Sequence, residues 1–291
     1  MSATHLVVEA TACPVCSGCR STPFRSEGDY QIVRCQDCGL RYLNPRPTET
    51  ALQEFYGESY FQNPESVSRG YSRYVDEADL WRSTFRDRLR LLPCGRRLLD
   101  VGAAAGFFVE QARLAGWDAE GIEPSSWAAK FAREELHQPV RTGMIETAAL
   151  PRHSYDVVTL WEVIEHLPDP GRVLRTIGDV LVPNGHIVLS TPDAGSLFAR
   201  LAGRRWLGWR KVPEHLSFFD LPSLRRLLGR SGFRVTDSRY VSLSVTLGFA
   251  IDRLLEMFQV SQRAVLPEWL RKREVRVNPW YDLCVTARKE E

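Results

Sequence analysis

The 291-residue sequence has almost no net charge and no long hydrophobic run, and these two absences narrow the kind of protein it encodes. Lys and Arg number 38 against 36 Asp and Glu, so the net charge of +2 provides no strong field for nucleic acid. The most apolar later stretch, residues 245–257, is interrupted by Asp252, Arg253 and Glu256, so it is too charged to span a membrane. No cationic region followed by an apolar one opens the chain, and we therefore expect a cytoplasmic protein without a signal peptide.

Cysteine is present seven times, and a cytoplasmic protein does not use it for disulfides. Four cysteines form two Cys-x-x-Cys pairs with 18 residues between them: Cys13, Cys16, Cys35 and Cys38. Four thiolates at this spacing suit tetrahedral Zn²⁺, so residues 1–46 are predicted to form a structural zinc ribbon without a catalytic role. An iron–sulfur cluster is the alternative, and Cys19 competes with Cys16 as a ligand. Cys94 and Cys284 stand alone and are predicted to be buried in the core.

The rest of the chain divides into a helical part and a part with alternating strands and helices. Residues 47–92 are aromatic-rich and predict a helical cap or linker. From residue 97 onward, buried strand patterns alternate with amphipathic helical patterns, which is typical of a parallel α/β sheet. This main domain, residues 93–291, has predicted lid insertions near 196–219 and 243–275.

A turn of small residues follows the first predicted strand of the main domain, and a ligand can lie against its bare backbone. A nicotinamide dinucleotide fold requires glycine at positions 102, 104 and 107, and the last two are absent. The adenosylmethionine pattern, acid-x-Gly-x-Gly-x-Gly, is matched by Asp100, Gly102 and Gly106, with Ala104 as its one departure. Glu123 ends the second strand, where a carboxylate can accept both hydroxyls of a ribose. An ordinary tight turn without a ligand is the competing interpretation.

Several separated segments resemble class I S-adenosylmethionine (SAM)-dependent methyltransferases. They are residues 98–106, 121–125 and 155–167. The Glu-His-Leu-x-x-Pro sequence that begins at Glu165 resembles the branch that includes ubiquinone-type O-methyltransferases, as do residues 190–193, 213–219 and the four-cysteine ribbon. The resemblance implies a Rossmann-like seven-stranded methyltransferase sheet with an N-terminal zinc ribbon and a helical cap.

The same resemblance implies where SAM binds. The glycine turn faces the methionine end, Asp100 receives the ammonium, Glu123 holds the ribose, and the loop at 143–145 contacts the adenine. The sulfonium lies beside Trp161 and Glu162. The implied cofactor-binding residues are Asp100, Gly102, Ala104, Gly106, Glu123, Pro124, Gly143, Met144, Ile145, Trp161, Tyr71 and Tyr74. For the two tyrosines, a simple core role is an equal alternative to closing over the cofactor.

Methyl transfer is an in-line displacement in which the protein orients the acceptor and often removes its proton. His215, which follows the 200–213 segment, is the first candidate base, and a buried histidine that caps a loop is the competing interpretation. His166 is the second candidate. It follows Glu162, the third candidate, by four positions, so the two are predicted to share one helix face. That pair could bind a metal, although a hydrogen bond at the helix start is the simpler interpretation.

Three functions remain open from the sequence. The favoured one is transfer of a methyl group to a small-molecule acceptor, with oxygen preferred: a specialised metabolite or a sugar-like intermediate, anionic or carrier-linked. The cations and tryptophans of residues 204–211 suggest a lid for such an acceptor or a contact with a membrane surface. A solvated loop anchored by two aromatic rings is the competing interpretation, preferred for the charges, while a lid is preferred for the tryptophans. An RNA methyltransferase is disfavoured because residues 1–46 carry five arginines against four acids. A catalytically silent zinc-binding interaction protein has only Ala104 in its favour. We expect a monomer or a homodimer.

Overall fold

The computed structural model describes residues 6–55, 74–257 and 266–290, and its N-terminal part is a small β module. The strands of this part are β1 (Val8–Glu9), β2 (Ser21–Glu27), β3 (Tyr30–Cys35), β4 (Arg41–Leu43) and β5 (Arg46–Pro47). A turn at Gly28, whose φ of 57° favours glycine, joins β2 to β3. Cys13 and Cys16 precede the hairpin and Cys35 and Cys38 end it, which is the arrangement that the ribbon prediction requires.

The main sheet contains seven strands, as predicted. The strands beyond the ribbon are β6 (Arg97–Val101), β7 (Asp118–Glu123), β8 (Val140–Thr142), β9 (Tyr155–Trp161), β10 (Leu181–Pro192), β11 (Ser217–Phe218), β12 (Phe233–Thr246) and β13 (Glu274–Lys289). The sheet order is β12-β13-β10-β9-β6-β7-β8. Strand β13 runs antiparallel to both neighbours, and the other pairs are parallel. The carboxyl ends of β6, β7, β9 and β10 therefore meet at one edge, where ligands of open α/β sheets bind.

Helices cover the sheet, and their starts follow the sequence signals. They are α1 (Glu49–Phe55), α2 (Ala78–Leu89), α3 (Phe107–Leu114), α4 (Ser126–Glu134), α5 (Pro170–Val180), α6 (Leu197–Ala202), α7 (Leu221–Arg230), α8 (Leu247–Met257) and α9 (Glu268–Arg271). The Asp169 side chain caps α5, with Pro170 at its start, and Ser125 caps α4. Asp220 forms a capping box with Ser223 at α7. None of the helices in these ranges is long and apolar enough to cross a membrane.

Three local predictions were wrong. Cys94 is exposed because it lies in the loop between α2 and β6, whereas Cys284 is buried on β13 as predicted. The Pro-Asn-Gly sequence at 183–185 predicts a turn followed by a strand that begins at residue 186, but strand β10 begins at Leu181 and contains this segment as an irregularity. Glu162 and His166 do not share a helix face, because only Ile164–His166 form a single 3-10 turn and Glu162 has a φ of 55°.

The ribbon does not stand apart from the main domain. Strand β11, which lies at the end of the predicted lid insertion 196–219, pairs with β4 and so becomes the fourth strand of the sheet that contains β2, β3 and β4. Trp206 and Trp209 are buried in a cluster that includes Ile32 and Leu43 of the ribbon. The predicted lid tryptophans are therefore packed against the ribbon, while the neighbouring cations are exposed: Arg204, Arg205, Arg210 and Lys211.

Candidate active site

The turn after β6 forms the floor of a cavity and depends on left-handed backbone. Gly102 has a φ of 75°, and a Cβ there would lie 2.5 Å from a methyl group of Val163. Ala104 has a φ of 45°, which costs a non-glycine residue about 1–2 kcal/mol. The Ala104 N–H donates to Oε2 of Glu123 at 2.9 Å, and this hydrogen bond compensates part of that strain. The departure from glycine at position 104 is thus accommodated.

Gly106 lets α3 and α4 pack closely. It is the left-handed N-cap of α3, and a Cβ there would lie 2.8 Å from Cβ of Ala132 on α4. The space that glycine saves therefore faces α4 and Val140 of β8. The implied role of Gly106 at the methionine end does not follow from this orientation.

Two buried carboxylates flank the turn. Asp100, at 2% exposure, accepts a 2.7 Å hydrogen bond from the hydroxyl of Thr159 on the adjacent strand β9. Burial raises the pKa of Asp100 to about 8, against the opposing effect of that hydrogen bond. Glu123 accepts the N–H of Ser125 on Oε1 in addition to that of Ala104 on Oε2. Burial raises its pKa to about 7, and both oxygens retain lone pairs for further donors.

The cavity beside the turn has a volume of about 50 Å³ and extends from Asp100 to the end of β10. Its lining includes Tyr74, Trp81, Phe85, Arg88, Asp100, Gly102, Ala104, Trp161, Glu162 and Ser190. The rings of Tyr74 and Trp81, 4.7 Å apart, form its outer wall. A volume of this size can hold water molecules. Tyr71, the other implied tyrosine, lies outside the described residues.

The loop after β8 lies on the other side of Glu123. Gly143 has a φ of 143°, and its N–H donates to the Glu123 carbonyl at 2.9 Å. Ile145 is buried in the core, Met144 is half-buried, and Pro124 is exposed. The structure therefore places Gly143 beside the Glu123 backbone, while the buried Ile145 anchors the loop in the core.

Arg88 is the residue that the sequence reasoning missed. Its guanidinium, 4% exposed, donates from Nη2 to Asp282 at 3.1 Å and lies over the Trp161 ring at 5.3 Å. Within the described ranges, no atom accepts a hydrogen bond from its Nε or Nη1. A buried cation with free donors beside a cavity is suited to an anion. The sequence offers no motif for this residue beyond an arginine on the core-facing side of α2. Its partner Asp282 is 194 positions away, so the pair cannot be identified from local spacing.

Glu162 lies where β9 ends and faces the same cavity. Its Oε1 accepts the Ser190 hydroxyl at 2.6 Å. Burial, together with the neighbouring Asp282 and Glu165, raises the pKa of Glu162 well above its ordinary value. These surroundings favour the neutral form of Glu162 in the ligand-free protein, and a cation or hydrogen-bond donor beside it would favour the ionised form.

The structure brings Glu165, His166 and His215 together, with their possible ligand atoms within 4.8 Å of one another. The imidazole rings meet edge to face at 4.8 Å, and Nδ1 of His166 contacts the Glu214 carbonyl at 2.9 Å. Burial lowers the pKa of His166 to about 4 and that of His215 well below its ordinary value, so both rings are neutral. Neutral imidazoles and a carboxylate can accept a proton or ligate a divalent cation.

The four cysteines of the ribbon also converge. Sγ of Cys13 lies 3.4 Å from that of Cys38, and Sγ of Cys16 lies 3.5 Å from that of Cys35. A tetrahedral Zn²⁺ with bonds of about 2.3 Å separates its sulfurs by about 3.8 Å, so small adjustments admit the ion. Cys19 is exposed and is not part of this cluster.

Comparison with known proteins agrees with this geometry. A family model described as a methyltransferase domain matches residues 72–238, which is more than half of the chain. The chain is a class I SAM-dependent methyltransferase. It is 36% identical over 182 residues to a ubiquinone biosynthesis O-methyltransferase of Photobacterium profundum, a match that covers 54% of this chain and 76% of that protein.

Two further matches, one in sequence and one in structure, are to proteins described as methyltransferases. A protein of the same description from Bordetella avium is 36% identical over 105 residues, which cover 33% of this methyltransferase and 43% of that protein. Among solved structures, magnesium protoporphyrin IX methyltransferase of Synechocystis PCC 6803 with bound SAH has a TM-score of 0.53 at 14% identity. That match covers 84% of this chain and 100% of the other, and it supports the fold alone.

Proposed function

We propose that this methyltransferase transfers a methyl group from SAM to a hydroxyl oxygen of a small-molecule acceptor. The observation that carries the proposal is the buried cluster of Glu165, His166 and His215 beside Glu162. Hydroxyl acceptors need their proton removed or shared as the new bond forms, and this cluster offers neutral imidazoles for that purpose. The relatives described as ubiquinone biosynthesis O-methyltransferases support the choice of oxygen.

In the proposed site, the residues of the carboxyl edge hold the cofactor. Glu123 receives the ribose hydroxyls, Asp100 the ammonium, and Arg88 the carboxylate through its free Nε and Nη1. Bound SAM supplies a methyl group already activated on a cationic sulfur. Trp161 and Glu162 shape the side of the cavity that faces the acceptor, and the wall of Tyr74 and Trp81 excludes water.

His215 is the proposed base and His166 its neighbour. Because both imidazoles are neutral at pH 7, His215 can accept the hydroxyl proton without first losing one. A divalent cation held by Glu165, His166 and His215 is the second candidate for lowering the pKa of the acceptor, favoured by the convergence of their ligand atoms. We further propose that the four-cysteine cluster holds a structural Zn²⁺ and that the acceptor is not RNA.

A direct assay of methyl transfer tests the proposal. The purified protein is incubated with labelled SAM and with phenols, catechols, sugars and primary amines, with and without added Mg²⁺ or a chelator. We expect an O-methyl product, identified by mass spectrometry and NMR. Methylation confined to nitrogen, carbon or added RNA would refute the proposal. Activity in chelator excludes the divalent cation and leaves an imidazole as the base, whereas dependence on the ion favours the second candidate.

Replacing Arg88 is expected to weaken cofactor binding by about 10- to 100-fold, because two charge-assisted hydrogen bonds to the carboxylate are lost. The double variant Arg88→Met/Asp282→Asn avoids leaving the buried Asp282 carboxylate unpaired. Arg86→Met, an exposed change on the same helix, is the control. Calorimetric titration with S-adenosylhomocysteine (SAH) measures the effect, and unchanged affinity in the double variant would exclude Arg88 from the site.

Cofactor binding is expected to release a proton at pH 7. The pKa of Asp100 in the ligand-free protein is about 8, above its ordinary 3.8, so this carboxyl is mostly protonated at pH 7. Because the unfolded chain loses this proton at lower pH than the folded protein does, the Asp100 carboxyl lowers the stability of the fold progressively as the pH rises from about 4 to 8. A nearby ammonium favours the ionised form, so affinity for SAH should increase between pH 6 and 8. Titrations in buffers of different ionisation enthalpy measure the proton. A constant affinity, or a proton release in Asp100→Asn as large as that of the wild type, would contradict this role.

A further inference from the structure

The backbone beside His215 is bonded to the ribbon on one side and to the active-site cluster on the other. The Leu216 N–H donates to the Glu165 carbonyl at 2.9 Å, and the Leu216 carbonyl accepts the N–H of Leu43 at 2.9 Å. Strand β11 begins at the next residue and pairs with β4, with Ser217 opposite Tyr42. A single residue therefore connects the ribbon, Glu165 and His215.

The segment that carries His166 is also bonded to the ribbon. Nη1 of Arg46, in β5, donates to the carbonyl of Pro168, two residues beyond His166. Arg46 is itself held by Glu9 of β1 at 3.2 Å. Both histidine-bearing segments are thus attached to the consecutive ribbon strands β4 and β5.

Side-chain packing makes these attachments rigid. Leu43, Leu216 and Phe218 belong to one buried cluster with Trp206 and Trp209. The ring of Trp209 lies 5.2 Å from Phe24 on β2 and 5.1 Å from Phe218 on β11. The Arg41 guanidinium lies over the rings of Phe24 and Trp209, at 5.1 and 5.8 Å. Movement of β4 would therefore disturb the segment that ends at His215.

We propose that the ribbon is a positioning element of the active site, in which Leu43 and Arg46 hold the segments that carry His215 and His166. The cysteine cluster connects to β4 directly, since Cys38 lies three residues before Arg41 and Cys35 donates its N–H to the Leu40 carbonyl at 2.9 Å. An ion held by the four cysteines thereby fixes the strand to which Leu216 is bonded. This inference rests on the proposed role of His215.

The rate of methyl transfer depends steeply on the positions of the reacting groups. A displacement of about 1 Å in a reacting group can reduce the rate by about 100-fold. Cofactor binding depends instead on the carboxyl edge of β6 and β7, which is not bonded to the ribbon in the contacts described above. Loosening the ribbon should therefore reduce kcat while leaving the affinity for cofactor intact.

The variant Leu43→Pro tests whether the ribbon affects kcat but not cofactor affinity. Proline at this position removes the N–H that donates a hydrogen bond to the Leu216 carbonyl. We expect kcat to fall at least 10-fold, the SAH dissociation constant to stay within about 2-fold, and hydrogen exchange of the 214–218 peptide to rise. Leu43→Val, the control that keeps the backbone N–H, should have a kcat within about 2-fold of wild type. Unchanged kcat in Leu43→Pro, or equal loss of kcat and SAH affinity, would overturn the proposal.

A second perturbation covers the case in which Leu43→Pro does not fold. Cys38→Ser disrupts the cluster in the full chain, and Cys19→Ser, an exposed cysteine outside it, is the matched control. Bound zinc, SAH affinity and exchange of peptide 214–218 are measured for both. We expect only Cys38→Ser to lose zinc and to increase that exchange at least 10-fold. Unchanged exchange overturns the coupling, whereas full activity in His215→Gln would refute the role of His215 instead.

Discussion

Replacing Glu123 by alanine is expected to raise the dissociation constant for SAH by at least about 100-fold. The carboxylate is proposed to accept both ribose hydroxyls, and hydrogen bonds to a charged acceptor contribute about 1.5–3 kcal/mol each. The same oxygens hold the N–H groups of Ala104 and Ser125. The variant therefore also frees the strained turn at Ala104. The loss of the ribose hydrogen bonds and the loss of the ordered turn should both weaken SAH binding.

Glu134→Ala is the matched control for this loss. Glu134 is an exposed glutamate at the end of α4, where it pairs with Lys130 at 3.8 Å. Its removal should leave SAH affinity within about 2-fold. Thermal unfolding of both variants establishes that the fold persists. Wild-type affinity in Glu123→Ala would show that the ribose binds elsewhere.

Replacing His215 by glutamine is expected to lower kcat by about 100- to 10,000-fold, the range typical of removing a general base. Glutamine keeps a polar side chain of similar length but cannot accept the acceptor proton at neutral pH. Because His215 is buried with its ring against His166, solvent does not readily substitute for it. The SAH dissociation constant should change by less than about 2-fold, since the cofactor contacts are on other elements.

His137→Gln controls for the chemical change itself, because His137 is exposed just beyond the end of α4. Its kcat should equal that of wild type when methyl transfer to the best hydroxyl acceptor is followed with saturating SAM. A His215→Gln variant with kcat within about 3-fold of wild type would remove His215 from the mechanism and leave His166 as the remaining imidazole of the cluster.

The positions of the residues proposed to bind the cofactor could be predicted from sequence because their signals are local. Asp100, Gly102 and Glu123 lie at strand ends that an α/β pattern already places at one edge, and their spacing follows from the βαβ connection. Gly106 lies in the predicted turn, and its contact with the cofactor stays a prediction. Its freed space faces Ala132, and a turn pattern does not distinguish ligand contact from helix packing.

The acceptor half could be predicted only in part, because its contacts join distant segments. His166 and His215 were each candidate bases, but their edge-to-face contact depends on how the chain between β10 and β11 returns to the sheet. Arg88 was missed since its partner Asp282 is remote in sequence. The pairing of β11 with β4 rests on a strand of two residues, too short for any periodicity to reveal.

A crystal structure of the protein with bound SAH would show how the carboxyl edge of the sheet and the histidine cluster are placed around the cofactor. We expect both ribose hydroxyls to contact Glu123 and the carboxylate of SAH to contact Arg88. The sulfur should face Trp161 and Glu162, with the cluster of Glu165, His166 and His215 on the side from which the methyl group is transferred. A ribose away from Glu123, or a sulfur directed away from that cluster, would refute the proposed site.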